Sequence, residues 1–397
     1  MDVRLDPALW TSRPGVPQML EALDAGGDST RLVGGAVRDL LLQLPHNDLD
    51  LATRIPPLEV VSRLEAAGIK AIPTGIDHGT VTAVSNGTVV EITTLRCDLS
   101  TDGRRAKVAF TDDWRADAER RDFTINAMFA EAMTGAIHDL VGGLADLEQR
   151  RVRFIGEPLQ RIAEDHLRIL RFFRFHARFG SGDPEPADLA ACAARANDLM
   201  ALSRERIADE LLKLLALPDP SHTVRVMLAN SILRAVLPEI EEAGAQRLER
   251  LLAAEREAGI QAHPLRRLAA LLPPVPPVAE KIAARLKLSN RARQRLASAA
   301  VAASGADARA LAYSIGQEAA VDRLLLAGDA AQARAIAGWA VPVLPLSGGL
   351  LIKRGLLPGP AVARTLKAIE ARWVAEGFPD EGRLAELVDE ALASALG

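Results

Sequence analysis

The spacing of hydrophobic residues changes part-way along the chain. Before residue 155, short runs rich in β-branched residues are bounded by Gly or Asn-Gly signals, which is typical of strands. The predicted strands are residues 31–33, 50–52, 79–84, 89–94 and 108–110, and Asn86-Gly87 predicts a hairpin turn. From Pro158 onward, apolar residues recur at spacings of three and four, which predicts helices. We therefore expect an α/β N-terminal region followed by an all-α C-terminal half.

Proline and glycine interrupt the helical half at intervals. The breaks fall at residues 180–186, 218–220, 273–277 and 342–349. The segments between them follow no fixed repeat, so they indicate stacked subdomains rather than one bundle or a solenoid. The pattern predicts three regions, with residues 1–155, 156–220 and 221–397 as their bounds.

Composition describes an ordinary globular protein of 397 residues, 49% of them hydrophobic, with a net charge of −4. No apolar run reaches the roughly 18 residues that cross a bilayer, and the N-terminal residues lack a signal pattern. We therefore expect a cytoplasmic protein that does not engage a membrane. The two cysteines, Cys97 and Cys192, lie far apart, so any metal must be held by carboxylates. The negative net charge does not exclude nucleic-acid binding, because phosphate recognition needs clustered Lys and Arg rather than a positive net charge.

A Gly-Gly turn follows the first predicted strand. Residues 33–39 read Val-Gly-Gly-Ala-Val-Arg-Asp and open an apolar-periodic helix. Glycines at such a turn let backbone N–H groups approach a phosphate, and the helix N-terminus and Arg38 add positive charge. Gly34, Gly35 and Arg38 are therefore candidate phosphate-binding residues. A purely structural turn is the alternative, since the segment matches neither the dinucleotide fingerprint nor the phosphate-loop motif.

Asp48 and Asp50 are separated by one residue, shortly after this turn. If the segment is a strand, alternation puts both side chains on one face, where they could share divalent cations. Glu91 is an acid inside an otherwise β-branched strand and would suit a third carboxylate in a two-metal site. The competing interpretations are a solvated strand face for the aspartates and a surface-facing side chain for Glu91.

Three further motifs complete a recognisable series. Residues 120–127 read Arg-Arg-Asp-Phe-Thr-Ile-Asn-Ala, residues 139–147 read Asp-Leu-Val-Gly-Gly-Leu-Ala-Asp-Leu, and residues 164–171 read Glu-Asp-His-Leu-Arg-Ile-Leu-Arg. With the two earlier motifs, they resemble the family of class II CCA-adding tRNA nucleotidyltransferases and bacterial poly(A) polymerases. The resemblance covers residues 31–180 strongly and extends more weakly through residues 202–207 to about Leu215.

The resemblance implies a fold for each of the three regions. Residues 1–155 would form a nucleotidyltransferase head of the DNA polymerase β-like superfamily, a small mixed sheet with helices. Residues 156–220 would form a helical neck that carries a nucleotide-selecting helix. Residues 221–397 would form a helical body and tail that bind tRNA.

The resemblance also implies roles for the candidate residues. In the family the Asp-x-Asp carboxylates bind the catalytic Mg²⁺ ions, a role that falls on Asp48 and Asp50. Other motif residues contact the triphosphate and ribose of the incoming nucleotide. The implied nucleotide-binding residues of the head are Gly34, Gly35, Arg38, Arg121, Asp122 and Asn126.

Residues 164–168 resemble the family's protein template for base choice. Asp165 and Arg168 lie three apart, so we expect both on one helix face, where they can meet the Watson–Crick edge of cytosine or adenine. Arg171 and Arg174 are expected to continue that face. Phenylalanines interleave with these arginines, which predicts that another face of the helix is buried.

The implied activity is addition of C, C and A to a tRNA 3′ end from CTP and ATP, without a nucleic-acid template. The implied partners are the tRNA acceptor arm, CTP and ATP, and no protein partner is implied. Residues 102–105 stand where a mobile family loop helps the switch from CTP to ATP, although a plain hairpin connection is equally compatible. His166 replaces a Pro that is usual in the poly(A) branch, which favours tRNA as the substrate.

Other functions remain open at this point. The nearest are a poly(A) polymerase and an enzyme restricted to adding CC or A. A catalytically silent RNA-binding module on the same fold belongs to a different class, and the intact Asp48 and Asp50 argue against it.

Overall fold

The computed structural model describes residues 3–45, 48–101, 106–303 and 307–396. The chain divides into two compact units, Met1–Leu214 with His222–Val236, and Leu215–Ser221 with Leu237–Gly397. All predicted site residues belong to the first unit. The finer boundaries at residues 155 and 220 stay predictions.

The first unit is built on a mixed β-sheet. Its described strands are β1 (Thr30–Val33), β2 (Asp50–Thr53), β3 (Lys70–Gly75), β4 (Thr80–Ser85), β5 (Thr88–Thr94), β6 (Arg96–Thr101), β7 (Ala106–Phe110), β8 (Met128–Glu131) and β9 (Ile137–Asp139). Seven of these described strands form one sheet in the order β3-β4-β5-β2-β1-β8-β9, and β6 and β7 form a separate hairpin. β2 and β5 run parallel, while the other neighbours are antiparallel. The predicted α/β region with a small mixed sheet is confirmed.

The turn between β4 and β5 is the one that the sequence predicts. Asn86 has φ 49° and Gly87 has φ 82°, so both central residues lie in the left-handed region. This backbone closes a two-residue hairpin in which Ser85 pairs with Thr88. The hairpin fixes the register of β5 and therefore the position of Glu91 along it.

Helices surround the sheet and continue to the end of the first unit. They are α1 (Ala8–Thr11), α2 (Val16–Ala22), α3 (Gly35–Leu41), α4 (Pro57–Ala66), α5 (Trp114–Glu119), α6 (Gly143–Glu148), α7 (Pro158–Glu164), α8 (Arg168–Phe179), α9 (Pro186–Ala194), α10 (Arg204–Leu215) and α11 (Ser221–Ala229). Short 3₁₀ turns lie at Ala25–Gly27, Ile76–His78, Thr124–Asn126, Ala196–Ala201 and Leu233–Ala235.

The helix α8 shows why arginine and phenylalanine alternate in its sequence. Phe172, Phe173 and Phe175 are buried, and Phe172 packs against Phe154 with ring centroids 5.3 Å apart. The arginines occupy the remaining face of the helix. The predicted burial of one face is confirmed, and it fixes which way the arginines point.

The second unit is helical throughout its described residues, as predicted. Its helices are α12 (Glu242–Ala258), α13 (Pro264–Leu271), α14 (Pro276–Arg285), α15 (Asn290–Ala299), α16 (Ala308–Ile315), α17 (Gln317–Leu326), α18 (Ala330–Ala337), α19 (Gly348–Lys353), α20 (Pro360–Ala375) and α21 (Glu381–Leu396). Among the described helices of the whole chain, none combines the length and the apolar character needed to cross a bilayer.

Candidate active site

The Gly-Gly turn joins β1 to α3 at one edge of the site. Gly34 has φ 69° and ψ −128°, a conformation that side chains with a Cβ rarely adopt. A Cβ placed on Gly34 would lie 3.3 Å from Nη1 of Arg121 and 3.5 Å from the Asn126 carbonyl oxygen. Because Gly34 has no side chain, its backbone can lie against Arg121 and Asn126, which are two other predicted site residues.

The guanidinium of Arg38 is fixed in a buried position behind this turn. Its Nη1 donates to Oδ1 of Asn126, and its Nε donates to Oδ1 of Asp39 at 2.8 Å. The guanidinium carbon also lies 4.1 Å from the ring centroid of Phe179. Burial lowers the pKa of Arg38, but an arginine keeps its charge at neutral pH. The result is a preorganised positive charge.

Three carboxylates, those of Asp48, Asp50 and Glu91, lie on the opposite side of the site. Asp50 is the first residue of β2 and is paired in register with Glu91 on the parallel strand β5, so their side chains share one face of the sheet. Burial, together with the charges of Glu91 and Asp48, raises the pKa of Asp50 to about 6. In the described part of the chain, however, no three metal-ligating side chains are grouped closely enough to hold one ion.

Asp122 organises the middle of the site. Its Oδ1 accepts from the Asn126 amide at 3.1 Å, and its Oδ2 accepts from Nε and Nη2 of Arg171 at 2.8 and 2.6 Å. Burial alone would raise the pKa of Asp122, but the charge of Arg171 and these hydrogen bonds hold it below the usual value. Since Asn126 also binds Arg38, one network links β1–α3, the 3₁₀ turn and α8.

Asp117, which the sequence did not single out, holds two arginines that line the site. It is 1% exposed, and it accepts from Nε of Arg120 at 2.7 Å and from Nη2 of Arg121 at 2.8 Å. These bonds direct both arginines into the site, and burial lowers the pKa of Arg120 to about 10. The signal was present, because an acid three and four residues before two arginines on a helix can pair with both.

The prediction that Asp165 and Arg168 share one helix face is wrong. α7 ends at Glu164, α8 begins at Arg168, and Asp165 lies between them with an extended backbone, φ −152° and ψ 108°. Its Oδ1 accepts from the Leu167 N–H at 3.1 Å. The aspartate therefore ends one helix and stabilises the start of the next, which is a common use of a short acidic side chain.

Arg168 is held by groups on three sides. Its Nη1 donates to Glu164 and to the Arg161 carbonyl oxygen at 3.0 Å, and its Nη2 donates to the Arg120 carbonyl oxygen at 3.2 Å. The Arg168 guanidinium has roughly five N–H donors in total. The three hydrogen bonds to described residues therefore leave two N–H groups for another partner.

Arg174 does not reach the position that the sequence predicts for it. Its Nε donates to Oε2 of the buried Glu210 at 2.6 Å, and its guanidinium lies 4.5 Å from the ring centroid of Phe175. It faces α10 because six residues of α-helix rotate a side chain by about 600°, roughly 120° short of two full turns, which directs Arg174 away from the cleft. Arg171, one turn earlier, still lies at the cleft.

A cavity of about 610 Å³ brings the predicted residues together. Eleven of the thirteen line it, and the two missing ones are Glu91 and Arg174. The residues that line the cavity are Gly34, Gly35, Arg38, Asp48, Asp50, Arg120, Arg121, Asp122, Asn126, Asp165, Arg168, Arg171 and Phe175. Asp48 and Asp50 also line a neighbouring cavity of about 670 Å³, together with Glu91, Thr82 and Thr88. Residues 102–105, the candidate loop, lie outside the described residues.

The motif at residues 139–147 supports the site from behind. Asp139 accepts from the backbone N–H groups of Gly142 and Gly143 at 2.9 and 2.8 Å. Asp146 is fully buried and accepts from the Thr124 hydroxyl at 2.6 Å, at the first residue of the 3₁₀ turn that carries Asn126. Arg151 and Arg153 donate to the same carboxylate at 2.8 and 2.6 Å.

Replacing Asp146 by alanine is expected to lower the free energy of unfolding by about 2–3 kcal/mol, because the Thr124 hydroxyl loses its buried acceptor and two arginines lose their partner. Urea-induced unfolding of the full chain measures the change. Glu148→Ala, an exposed position on the same helix, is the control and should change stability by less than about 0.5 kcal/mol. Equal effects of the two substitutions would show that Asp146 does not brace the turn.

Comparisons with known proteins agree with this geometry. Residues 30–153 match the family described as the poly A polymerase head domain, and residues 183–243 match the one described as "Probable RNA and SrmB- binding site of polymerase A". The CCA-adding enzyme of Lacticaseibacillus paracasei is 34% identical over 396 residues, which is 96% of each chain. The mouse mitochondrial CCA tRNA nucleotidyltransferase 1 is 33% identical over 386 residues, 92% of this chain and 87% of the mouse protein.

Solved structures extend the likeness along the whole chain. The Bacillus stearothermophilus CCA-adding enzyme, crystallised with CTP, is 26% identical with a TM-score of 0.73 and covers 95% of this chain and 98% of its own. The Thermotoga maritima CCA-adding enzyme, in complex with tRNA, has a TM-score of 0.74 at 20% identity, and the match covers 99% of this chain and 98% of the Thermotoga chain. At this identity the comparison shows a shared fold. The chain therefore belongs to the CCA-adding enzyme and poly(A) polymerase family of nucleotidyltransferases.

Proposed function

We propose that this protein is a CCA-adding tRNA nucleotidyltransferase that adds C, C and A to tRNA 3′ ends from CTP and ATP. The observation that carries the proposal is the cavity in which a carboxylate pair faces a cluster of arginines beside Asp165 and Arg168. Such a cavity combines the three requirements of nucleotidyl transfer: metal ligands, a cradle for phosphates, and groups that read a base. The cytoplasmic location stays a prediction.

The carboxylates suit a divalent cation. Burial and the like charges of Glu91 and Asp48 raise the pKa of Asp50, and a cation would relieve the repulsion among these charges. Mg²⁺ is usually bound by one or two carboxylates, with water and substrate phosphates as the remaining ligands, so Asp48 and Asp50 fit it without a third protein ligand. When bound, such ions activate the attacking hydroxyl and neutralise charge on the phosphates. Glu91 would then act through its charge beside Asp50.

The positive side of the cavity suits the triphosphate and ribose. Gly34 lies next to Arg121 and Gly35 next to Arg38, and both glycines stand at the start of α3, where backbone N–H groups lack helical partners. Arg38 and Arg121 are held in position by Asn126 and Asp117, so binding a phosphate requires little side-chain ordering. Asp122 and Asn126 would meet the sugar between phosphates and base.

Asp165 and Arg168 offer complementary groups to a base. Cytosine and adenine each present an amino donor beside a ring nitrogen acceptor, whereas uracil and guanine present a carbonyl beside an N–H. A carboxylate acceptor next to a guanidinium donor therefore fits the first pair and opposes the second. The two donors that Arg168 keeps available are sufficient for this contact.

The neighbouring cavity suits the RNA 3′ end. Asp48 and Asp50 form the boundary between the two cavities, so groups on either side of the pair can approach the same phosphorus from opposite directions. In-line displacement requires this arrangement of the attacking hydroxyl and the leaving pyrophosphate.

The direct test uses tRNA that lacks its 3′ CCA. With Mg²⁺, CTP and ATP, we expect three ordered additions that stop after A, and none after chelation of the metal with EDTA. The length of the product and the nucleotides used separate this activity from the alternatives. A long A tract would identify a poly(A) polymerase, and a stop after CC would identify a restricted enzyme.

A further inference from the structure

The motif at residues 202–207, Leu-Ser-Arg-Glu-Arg-Ile, has no part in the cavity, yet it contacts the base-reading segment. Arg206, in the first turns of α10, donates Nη2 to Oδ2 of Asp165 at 2.6 Å. One turn later, Glu210 accepts from Arg174 at 2.6 Å and lies 3.8 Å from Nη1 of Arg171. One face of α10 therefore binds both Asp165 and the arginines of α8.

Asp165 needs such a partner because its own backbone does little to orient it. It lies in the break between two helices, so its side chain does not belong to the regular surface of either helix. Among the described residues, two groups anchor its carboxylate: the Leu167 N–H on Oδ1 and Arg206 on Oδ2. Two anchors on different oxygens fix the plane of a carboxylate, and each oxygen retains a lone pair for a further donor.

The two ion pairs of α10 differ in a way that separates their roles. The side chains of Glu210 and Arg174 are 5% and 14% exposed, so this pair is part of the packing between helices. The side chains of Arg206 and Asp165 are 40% and 30% exposed. Pairs at such exposure add little to folding stability, so the pair of Arg206 with Asp165 supplies orientation rather than stability.

We propose that Arg206 is a positioning residue for base selection, which holds the Asp165 carboxylate in the plane that accepts the amino group of cytosine or adenine. This proposal rests on the proposed function. Without Arg206, only the Leu167 N–H would hold the carboxylate, so its plane could turn about that one hydrogen bond and the acceptor would lose its fixed position. Discrimination against UTP and GTP would then fall, while contacts to the triphosphate would remain.

The experiment compares three variants of the full-length protein. Arg206→Ala removes the anchor, and Arg206→Lys keeps a charge that can reach the same oxygen. Lys213→Ala is the matched control, since Lys213 is an exposed cation on α10 that pairs with Asp209 at 2.6 Å, away from the cavity. We measure kcat/KM for each of the four nucleotides on tRNA lacking CCA, and dissociation constants for CTP and UTP by calorimetry.

For Arg206→Ala we expect the CTP over UTP and ATP over GTP ratios of kcat/KM to fall about tenfold or more, since one oriented contact to a base edge supplies discrimination of this order. Arg206→Lys should recover most of the ratio, and Lys213→Ala should retain all of it. The thermal midpoints of the three variants should agree. An equal loss of kcat/KM for all four nucleotides, with unchanged ratios, would overturn the proposal.

Calorimetry separates failure of this proposal from failure of the proposed function. If the wild-type protein adds no nucleotide to tRNA, the proposed function fails, but its preference for CTP over UTP in binding can still be compared with that of Arg206→Ala. A smaller binding preference in the variant supports a positioning role for Arg206, and an unchanged preference contradicts it.

Discussion

Asp50→Asn is expected to lower the rate of nucleotide addition about a thousandfold or more and to leave tRNA binding nearly unchanged. The substitution keeps the shape of the side chain but removes one of the two charges that suit a divalent cation. A bound metal supplies several kcal/mol of transition-state stabilisation, and each ~1.4 kcal/mol corresponds to tenfold in rate. Single-turnover incorporation of CTP into tRNA lacking CCA, at saturating protein, measures the chemical step directly.

Two further substitutions make this experiment specific. Asp77→Asn changes an exposed aspartate of the same unit, outside the residues that line either cavity, and should retain the wild-type rate. Glu91→Gln should slow the reaction less than Asp50→Asn, because Glu91 lines only the neighbouring cavity and lies beside Asp50 rather than beside the nucleotide pocket. If Asp50→Asn retained full activity, the protein would have to act through another centre.

The sequence predicted the parts of the site that depend on one local element. A Gly-Gly pair between a strand and a helix has few possible geometries, so the turn at Gly34 and the start of α3 followed from the residues alone. The hairpin at Asn86-Gly87 is similar, because only a few residue types accept two successive positive φ angles. The parallel pairing of β2 and β5, which puts Glu91 beside Asp50, involves strands about forty residues apart and could not be read from either strand.

The wrong prediction for Asp165 has a physical cause. Spacing of three residues places two side chains together only if the helix is continuous, and the sequence around residue 165 contains no Pro or Gly to signal a break. The break is made by side chains instead: Asp165 binds the Leu167 N–H and Arg206, which stabilises a non-helical backbone. Competition of this kind depends on a partner from α10, about forty residues later, so a local pattern does not reveal it.

The strands β3, β6, β8 and β9 were missed for a related reason. β8 reads Met-Phe-Ala-Glu and is buried on both faces for most of its length, so it has no alternation of polar and apolar residues. It becomes a strand because β1 and β9 lie on either side of it. Tertiary pairing, rather than local propensity, determines such segments.

Arg168→Ala is expected to reduce selectivity for CTP over UTP by roughly a hundredfold or more while leaving tRNA binding close to the wild-type value. The guanidinium is the donor of the base-reading pair, and its loss leaves only Asp165 to distinguish the bases. A site built to hydrogen-bond a substrate rejects an analogue with the wrong groups by up to about 10⁴-fold. Removing one of the two groups that read the base should therefore lower the discrimination by about half of this on a logarithmic scale, which is roughly a hundredfold. Competition between labelled CTP and UTP for incorporation measures the ratio.

The control must remove an arginine that makes a similar ion pair elsewhere in the same unit. Arg63 pairs with Glu59 at 2.5 Å across one helical turn, as Arg168 pairs with Glu164, and it does not line either cavity. Arg63→Ala should leave selectivity unchanged.

Because Arg168 also binds the carbonyl oxygens of Arg161 and Arg120, its loss could loosen the junction of α7 and α8 instead of removing a base contact. Loosening would lower the rate with every nucleotide and the affinity for tRNA together, so a parallel loss of both would count against a base-reading role.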